Sequence, residues 1–276
     1  MFMDKSNIEK LLHIMRALRN RDGGCPWDME QTFKSISPYT IEEAYEVADA
    51  IERCDIEGLK DELGDLLFQV VFHAEIAKEE GHFEFNDVVV GIIDKMIRRH
   101  PHVFADAAVI TPEAQNVAWE DIKSRERRKA SDSSQMSALA DVPLALPALM
   151  RAQKLQKRAA RIGFDWPTTE EIFDKVDEEI LELKNELLNP CNHQRVEEEI
   201  GDLLLVCVNL ARKLDVDAEI ALKRASKKFE RRFRAMESIL TKNGNQKKAT
   251  LEDMERIWTE VKKLEKTLDS NGIIKR

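Results

Sequence analysis

Apolar residues recur at three- and four-residue spacing along most of the chain, the period of an amphipathic helix. Ile8, Leu11, Leu12, Met15 and Leu18 mark a first helix, and Asp22-Gly-Gly-Cys-Pro-Trp27 breaks it into a loop. A second helix is predicted over about Ile41 to Ile51 and a third over about Leu59 to Glu80, stopped by Gly81. Asn86 or Asp87 is a cap for a fourth, Val88 to Arg99, which His100-Pro101 ends. A fifth covers roughly Pro112 to Lys129. The Ser-, Ala- and Pro-rich stretch 131–147 then reads as a linker between units 1–130 and 148–276. Beyond it the pattern restarts. Leu149 to Arg161 is helical, Gly163-Phe-Asp-Trp166-Pro is loop, and Thr168 or Thr169 is the next cap. Helices follow over Glu171 to Leu188, Val196 to Leu214, Ala218 to Leu240 and Leu251 to Leu268, with a polar loop at 242–248. The fold class is therefore all-α, two tandem helical-bundle units.

Laid on those helices, one acidic pattern appears twice. Glu42, Glu43 and Glu46 precede Glu62 and Asp65 by 15 intervening residues; Glu178, Glu179 and Glu182 precede Glu199 and Asp202 by 16. Residues at i and i+3 or i+4 share a helix face, so each E-E-x-x-E and each E-x-x-D gathers carboxylates one turn apart. If the two helices pack antiparallel, four or five carboxylates meet. Like charges at i,i+4 cost an isolated helix about 0.2–0.5 kcal/mol per pair, and a hard divalent cation would offset that. The alternative is a solvated acidic face. Each E-x-x-D runs straight into apolar sequence, LLFQVV or LLLVCV, which places the acids at the edge of buried surface. Gly64 and Gly201 inside the two motifs suggest close approach of a neighbouring backbone. The motif ends in Asp, not in the His of a di-iron Glu-x-x-His, and all-oxygen ligation favours Mg²⁺, with Mn²⁺ as a substitute.

Other landmarks repeat in the same order. Lys95, Arg98 and Arg99 parallel Lys228, Arg231 and Arg232; Trp119 and Lys123 parallel Trp258 and Lys262; Trp27 parallels Trp166. Arg and Lys one turn apart are what a polyphosphate needs beside a metal, and salt bridges to nearby acids are the competing use. Phe229 and Phe233 would face the core. A Trp either stacks on a base or packs; Trp27 and Trp166 in loops are placed to line a pocket. His100 and His102 form a helix-terminating turn or a stray ligand pair.

Composition removes several classes. Charged residues make up 34% and hydrophobic residues 43% of 276, with only ten Gly and eight Pro, which argues against a turn-rich β fold. A net charge of −9 argues against broad nucleic-acid binding. Cys25, Cys54, Cys191 and Cys207 show no C-x-x-C spacing, and no run of apolar residues is long enough for a membrane span, so a cytoplasmic protein is expected.

The combination EExxE, ExxD with an inner Gly, RRHPHVF, GFDW and KFERRF resembles the MazG family of nucleoside triphosphate pyrophosphohydrolases in its long, two-unit form. The resemblance covers essentially the whole chain. It implies a homodimeric α-helical enzyme that converts NTP or dNTP to the monophosphate and diphosphate with Mg²⁺, broad base selectivity and a house-cleaning or stress role. Carried over by position, Glu179, Glu182, Glu199 and Asp202 hold Mg²⁺, with Glu178 or Glu179 taking the proton of water. Lys228, Arg231 and Arg232 meet the phosphates; Trp166, Trp258 and Lys262 complete the nucleotide site. Glu43, Glu46, Glu62 and Asp65, with Glu42, Lys95, Arg98, Arg99, Trp119 and Lys123, form a second such set. RRHPHVF there replaces KFERRF, which puts its substrate contacts in question more than its metal site. Two alternatives stay open: a non-catalytic dimeric module that binds Mg²⁺ and nucleotide, and a narrow dUTPase- or dCTPase-like specialist.

Overall fold

The computed structural model describes residues 6–105, 137–188, 192–242 and 249–270, with positions 111, 114, 115, 119, 122 and 126 between the first two stretches. Among these residues every regular element is a helix, as the periodicity predicts. The chain divides into two compact units, Met1–Ala130 and Ser131–Arg276.

In the first unit the helices are α1 (Asn7–Leu18), α2 (Pro26–Glu30), α3 (Phe33–Glu52), α4 (Ile56–Glu79), α5 (Phe85–Arg99) and α6 (Pro101–Phe104). Ser6 starts α1 through a capping box: its backbone N–H donates to Glu9 Oε2 at 2.7 Å. The α3–α4 hairpin is the main scaffold, with α1 and α5 packed on α4. Its turn is closed by Asp55 Oδ1, which accepts from the N–H of Gly58 at 2.9 Å. A Cβ on Gly58 would lie 2.6 Å from that carboxylate, so a larger residue there would push the capping side chain aside. Met15, Ile36, Val71, Phe72 and Ile76 form the core, each at most 2% exposed. Arg19 locks the following loop onto α4. It donates to the carbonyls of Asp28 and Gln31 and to both oxygens of Glu79, with its guanidinium 5.3 Å from the Phe72 ring centre.

Two boundaries differ from the sequence expectation. Helix α3 begins at Phe33, eight residues before Ile41, because Thr32 and Ser35 cap it reciprocally (Thr32 N–H to Ser35 Oγ, 2.8 Å). Pro38 then removes only one early helical bond. Helix α5 starts at Phe85: Glu84, not Asn86 or Asp87, is the cap residue, its N–H donating to Asp87 Oδ2 at 2.9 Å. Cys25-Pro-Trp in the expected loop opens the short helix α2. The helix expected over Pro112 to Lys129 falls largely outside the described residues.

In the second unit the helices are α7 (Ala148–Arg161), α8 (Thr169–Leu187), α9 (His193–Lys213), α10 (Ala218–Lys242) and α11 (Leu251–Ser270). Hairpin α8–α9 matches α3–α4 in the first unit; α7 packs on α9 and α10, and α10 pairs with α11. Thr168 caps α8. Buried Gln153 ties α7 to the α9–α10 turn, donating to Val216 O at 2.9 Å and accepting from Ala218 N–H at 3.2 Å. Met236 and Leu240 of α10 pack on Ile257 and Val261 of α11. Part of the stretch read as linker folds onto this unit: Val142 is buried and Ala140 O accepts from Arg158. No helix among the described residues is long and apolar enough to cross a membrane.

Candidate metal centre and adjoining pocket

The α8–α9 hairpin brings Glu179, Glu199 and Asp202 together, one carboxylate oxygen of each within 4.8 Å of the others. Glu179 and Glu199 are only 4% and 6% exposed, an expensive place for two negative charges. Burial first, then the fields of Glu182, Glu179 and Asp202, push the Glu199 carboxyl up from its ordinary value, while Arg195 pulls the other way. Glu179 Oε2 is buried and accepts no hydrogen bond. Its other oxygen meets Lys175 Nζ at 2.8 Å, and the same ammonium bonds Glu178. A buried carboxylate oxygen without a donor, inside an all-oxygen cluster, fits a hard divalent cation.

The sequence reading passed over two cations here. Lys175 precedes Glu178-Glu179 by one turn, and Arg195 precedes Glu198-Glu199 in the same way, reaching Glu198 at 2.7 Å and Glu199 at 3.4 Å. The basic-x-x-Glu-Glu spacing on both helices was the available signal.

The first unit repeats the acid cluster. Glu43, Glu46 and Glu62 converge within the same 4.8 Å. Burial first, then Asp65, raises the Glu43 carboxyl; burial first, then Glu46, raises Glu62. Tyr39 and Gly58 stand where unit 2 has Lys175 and Arg195. Glu42, like Glu178, is exposed.

The basic segments are organised around a glutamate. Arg231 and Arg232 donate through Nε to the two oxygens of Glu265, at 2.9 and 2.6 Å. Arg98 and Arg99 likewise donate through Nε to the two oxygens of Glu126, at 2.8 and 3.2 Å. Each glutamate lies seven residues after the repeated Trp, Trp258 or Trp119, so a fifth landmark belongs to the duplication. Lys95, Lys228 and Lys262 are exposed. Lys123 lies outside the described residues. Phe229 and Phe233 do not enter the core of their unit. They are 58% and 40% exposed, stacked on each other, with Phe229 5.4 Å from the Trp258 ring. His100 ends α5, its Nδ1 2.7 Å from Met96 O, and its ring packs edge-on against Trp119. Among the described residues a Cβ on Gly64 or Gly201 would meet nothing within 4 Å, so close approach of a described backbone is not why those glycines are there.

Hydrogen bonds from Arg99 first and then Arg98 hold the Glu126 carboxyl down to about 2. A lowered carboxylate stabilises fully above its ordinary value of 4.5 and loses that contribution as pH falls toward 2. With Glu126 partly exposed, Glu126→Gln is expected to cost about 1 kcal/mol at pH 7. The difference from wild type should shrink through pH 4 to 2, read by urea unfolding at each pH. A pH-independent difference would assign the loss to packing.

Beyond Asp202, α9 forms one wall of a cavity of about 450 Å³ lined by Gln156, Phe164, Trp166, Leu205, Val206 and Asn209, among others. Glu199, Asp202, Val206 and Asn209, spaced three, four and three apart, make one stripe on α9. The GFDWP loop is held over the cavity from the same helix. Arg212 pairs with Asp165, and Lys213 Nζ donates to Trp166 O at 2.6 Å. Burial opposes ionisation of Asp165, but the Arg212 contact prevails and lowers its pKa. Gly163 turns the chain into this loop at φ 90°. Trp27, the counterpart of Trp166, is 50% exposed and edge-on to Tyr39.

A family model described as the MazG nucleotide pyrophosphohydrolase domain matches residues 31–104 and 168–236, spanning both acid clusters. The chain is 53% identical over 262 residues to the nucleoside triphosphate pyrophosphohydrolase of Escherichia coli (strain K12), covering 94% of this chain and 98% of that protein. It is 42% identical over 256 residues to the nucleoside triphosphate pyrophosphohydrolase/pyrophosphatase MazG of Thermotoga maritima, covering 92% and 95%. The two matched segments begin near the caps of α3 and α8 and end beyond the paired basic residues of α5 and α10.

Proposed function

The chain belongs to the MazG nucleotide pyrophosphohydrolase family, and on that premise we propose that it hydrolyses nucleoside triphosphates to the monophosphate and diphosphate at the carboxylate cluster of the second unit. The observation that carries the assignment to this cluster is the buried, donorless oxygen of Glu179 beside buried Glu199. Glu179, Glu199 and Asp202, with Glu182 beside them, would hold Mg²⁺, and Mn²⁺ would substitute. When bound, the ion supplies charge neutralisation on the triphosphate and acidifies a water. Glu178, exposed and next to the cluster, takes the proton as water attacks the α-phosphorus and diphosphate leaves. Lys228, Arg231 and Arg232 meet the phosphate charge, which requires the two arginines to turn from Glu265. Trp166, Trp258 and Lys262 complete the nucleotide site.

Glu42, Glu43, Glu46, Glu62 and Asp65, with Lys95, Arg98, Arg99, Trp119 and Lys123, are proposed as a second set in the first unit. The reading includes broad base tolerance, a house-cleaning role, a cytoplasmic location and a homodimer. Exposed Phe173, Leu181 and Leu204 on α8 and α9 support the dimer, since large apolar side chains left in solvent on one helical hairpin favour association.

The test is product analysis by ion-exchange chromatography after incubating the protein with each common nucleoside triphosphate and Mg²⁺, beside an EDTA control. Monophosphate and diphosphate, lost with EDTA, are expected. Diphosphate nucleotide plus phosphate would refute the bond assignment, and no product would leave a binding module.

A further inference from the structure

Lys175 stands one helical turn before Glu178 and Glu179 on α8, and its single ammonium serves both carboxylates. Nζ lies 2.8 Å from an oxygen of Glu178 and 2.8 Å from an oxygen of Glu179. The two acids differ in setting. Glu178 is exposed, so for it the bond is a surface ion pair of small worth. The Glu179 side chain is 5% exposed, and its second oxygen is buried without a donor. There the ammonium supplies the countercharge that a buried carboxylate requires. Arg195 repeats the arrangement more loosely on α9: half-exposed, it lies 2.7 Å from Glu198 and 3.4 Å from buried Glu199. In the first unit Tyr39 and Gly58 hold the matching positions, and neither can carry positive charge. Arg53, whose field reaches Glu62, is itself paired with Asp49 at 2.9 Å. The helical hairpin and its acids therefore form without such cations, and Lys175 is an addition that the fold does not require.

We propose that Lys175 is a positioning residue, the resident counter-ion of the cluster, which holds Glu179 in place for a divalent cation and at the same time weakens that cation's binding. The inference rests on the reading of Glu179, Glu199 and Asp202 as a metal centre and adds what limits affinity there. A cation taken up by Glu179 shares that carboxylate with an ammonium, and like charges at a buried group are screened far less than in water. In return, the ammonium neutralises the carboxylate before any ion arrives, so the site is assembled in advance. An ion held loosely by carboxylates alone is completed by phosphate oxygens, the usual way Mg²⁺ is bound beside a nucleotide. Lys175 thus favours an ion that comes with its triphosphate over the bare ion.

The probe is Mn²⁺ alone, titrated into the full chain without nucleotide and followed by the electron paramagnetic resonance of the free ion. Wild type, Lys175→Met and Lys175→Arg are each compared with the same chain carrying Glu199→Gln, which separates this cluster from that of the first unit. In Lys175→Met the binding that depends on Glu199 should tighten by about tenfold or more, because a repelling charge is gone. Lys175→Arg keeps the charge and should stay within about twofold of wild type. Without metal, Lys175→Met should melt below wild type, since Glu179 is left buried and unpaired, and Mn²⁺ should raise its Tm more than it raises that of wild type. Should Lys175→Met fail to fold, Lys175→Gln, which keeps a donor but no charge, carries the same expectation. A lower melt with unchanged or weaker Mn²⁺ affinity would overturn the proposal and make Lys175 a structural ion pair. Binding that Glu199→Gln leaves untouched in every chain would also overturn it, by removing the ion from this cluster. Turnover enters none of these readouts, so absence of hydrolysis in the product assay would sink the hydrolase reading and leave tightened Mn²⁺ binding as support for this one.

Discussion

Glu199→Gln is expected to lower turnover of nucleoside triphosphates by about a thousand-fold or more while the helical fold persists. Gln keeps the shape of Glu but is a poor ligand for a hard cation, and loss of several kcal/mol of charge stabilisation corresponds to that factor. The variant should not unfold. Glu199 is buried against Glu179 and near Glu182 and Asp202, so neutralising it relieves repulsion in the metal-free protein. Equal or greater thermal stability with lost activity is the pattern of a residue kept for chemistry at a cost to folding. Steady-state kinetics and circular dichroism melts on one preparation decide the matter. Retained turnover would move the reaction away from this cluster, and a collapsed melt would make Glu199 structural.

Phe72→Ala should be the most destabilising of the simple core truncations, costing about 3–5 kcal/mol. The ring is 1% exposed, meets Phe68 edge-on at 6.0 Å and lies under the guanidinium of Arg19. Its removal leaves a cavity and strips the apolar floor from a charged group that holds the α1–α3 loop. Hydrogen exchange by mass spectrometry locates the effect. Amides of α1 and α4 should exchange at least a hundred-fold faster, with those of α8 and α9 unchanged. A uniform change in both units would mean that they unfold as one, and a change below 1 kcal/mol would mean that the core closes over the gap.

What was legible from sequence was what lies within a few turns of one helix. The two acid sets, the paired arginines and the Trp landmarks obey helical spacing, so period alone placed them on shared faces. Lys175 and Arg195 obey it too, but the first unit has Tyr39 and Gly58 at those positions, so the duplication does not point to them. The pairing of Arg231 and Arg232 with Glu265, of Arg212 with Asp165, and of Gln156 with Leu205 joins residues 33 to 49 positions apart. That depends on the register between helices, which no periodicity states. Gly201 shows a different limit. A glycine within a helix signals that a Cβ is unwelcome or merely unneeded, and the sequence does not say which; in this chain the space beside it is open. Helix α3 starts eight residues before Ile41 because the reciprocal Thr32–Ser35 cap opens it there, and Pro38 in its second turn removes only one helical bond.

Helix α9 carries acids at one end of its stripe and the cavity wall at the other. From Glu199 to Asn209 the rise is about 15 Å, at 1.5 Å per residue. The backbone thus acts as a rigid ruler between two tasks, and no side-chain flexibility enters the measurement. Sites that far apart with no shared partner change independently to within a few tenths of a kcal/mol. Substitution at the far end of the ruler can therefore reshape the cavity while the acids stay as they are. A one-residue insertion between them would turn one end by about 100° relative to the other, so that both no longer face their present neighbours together.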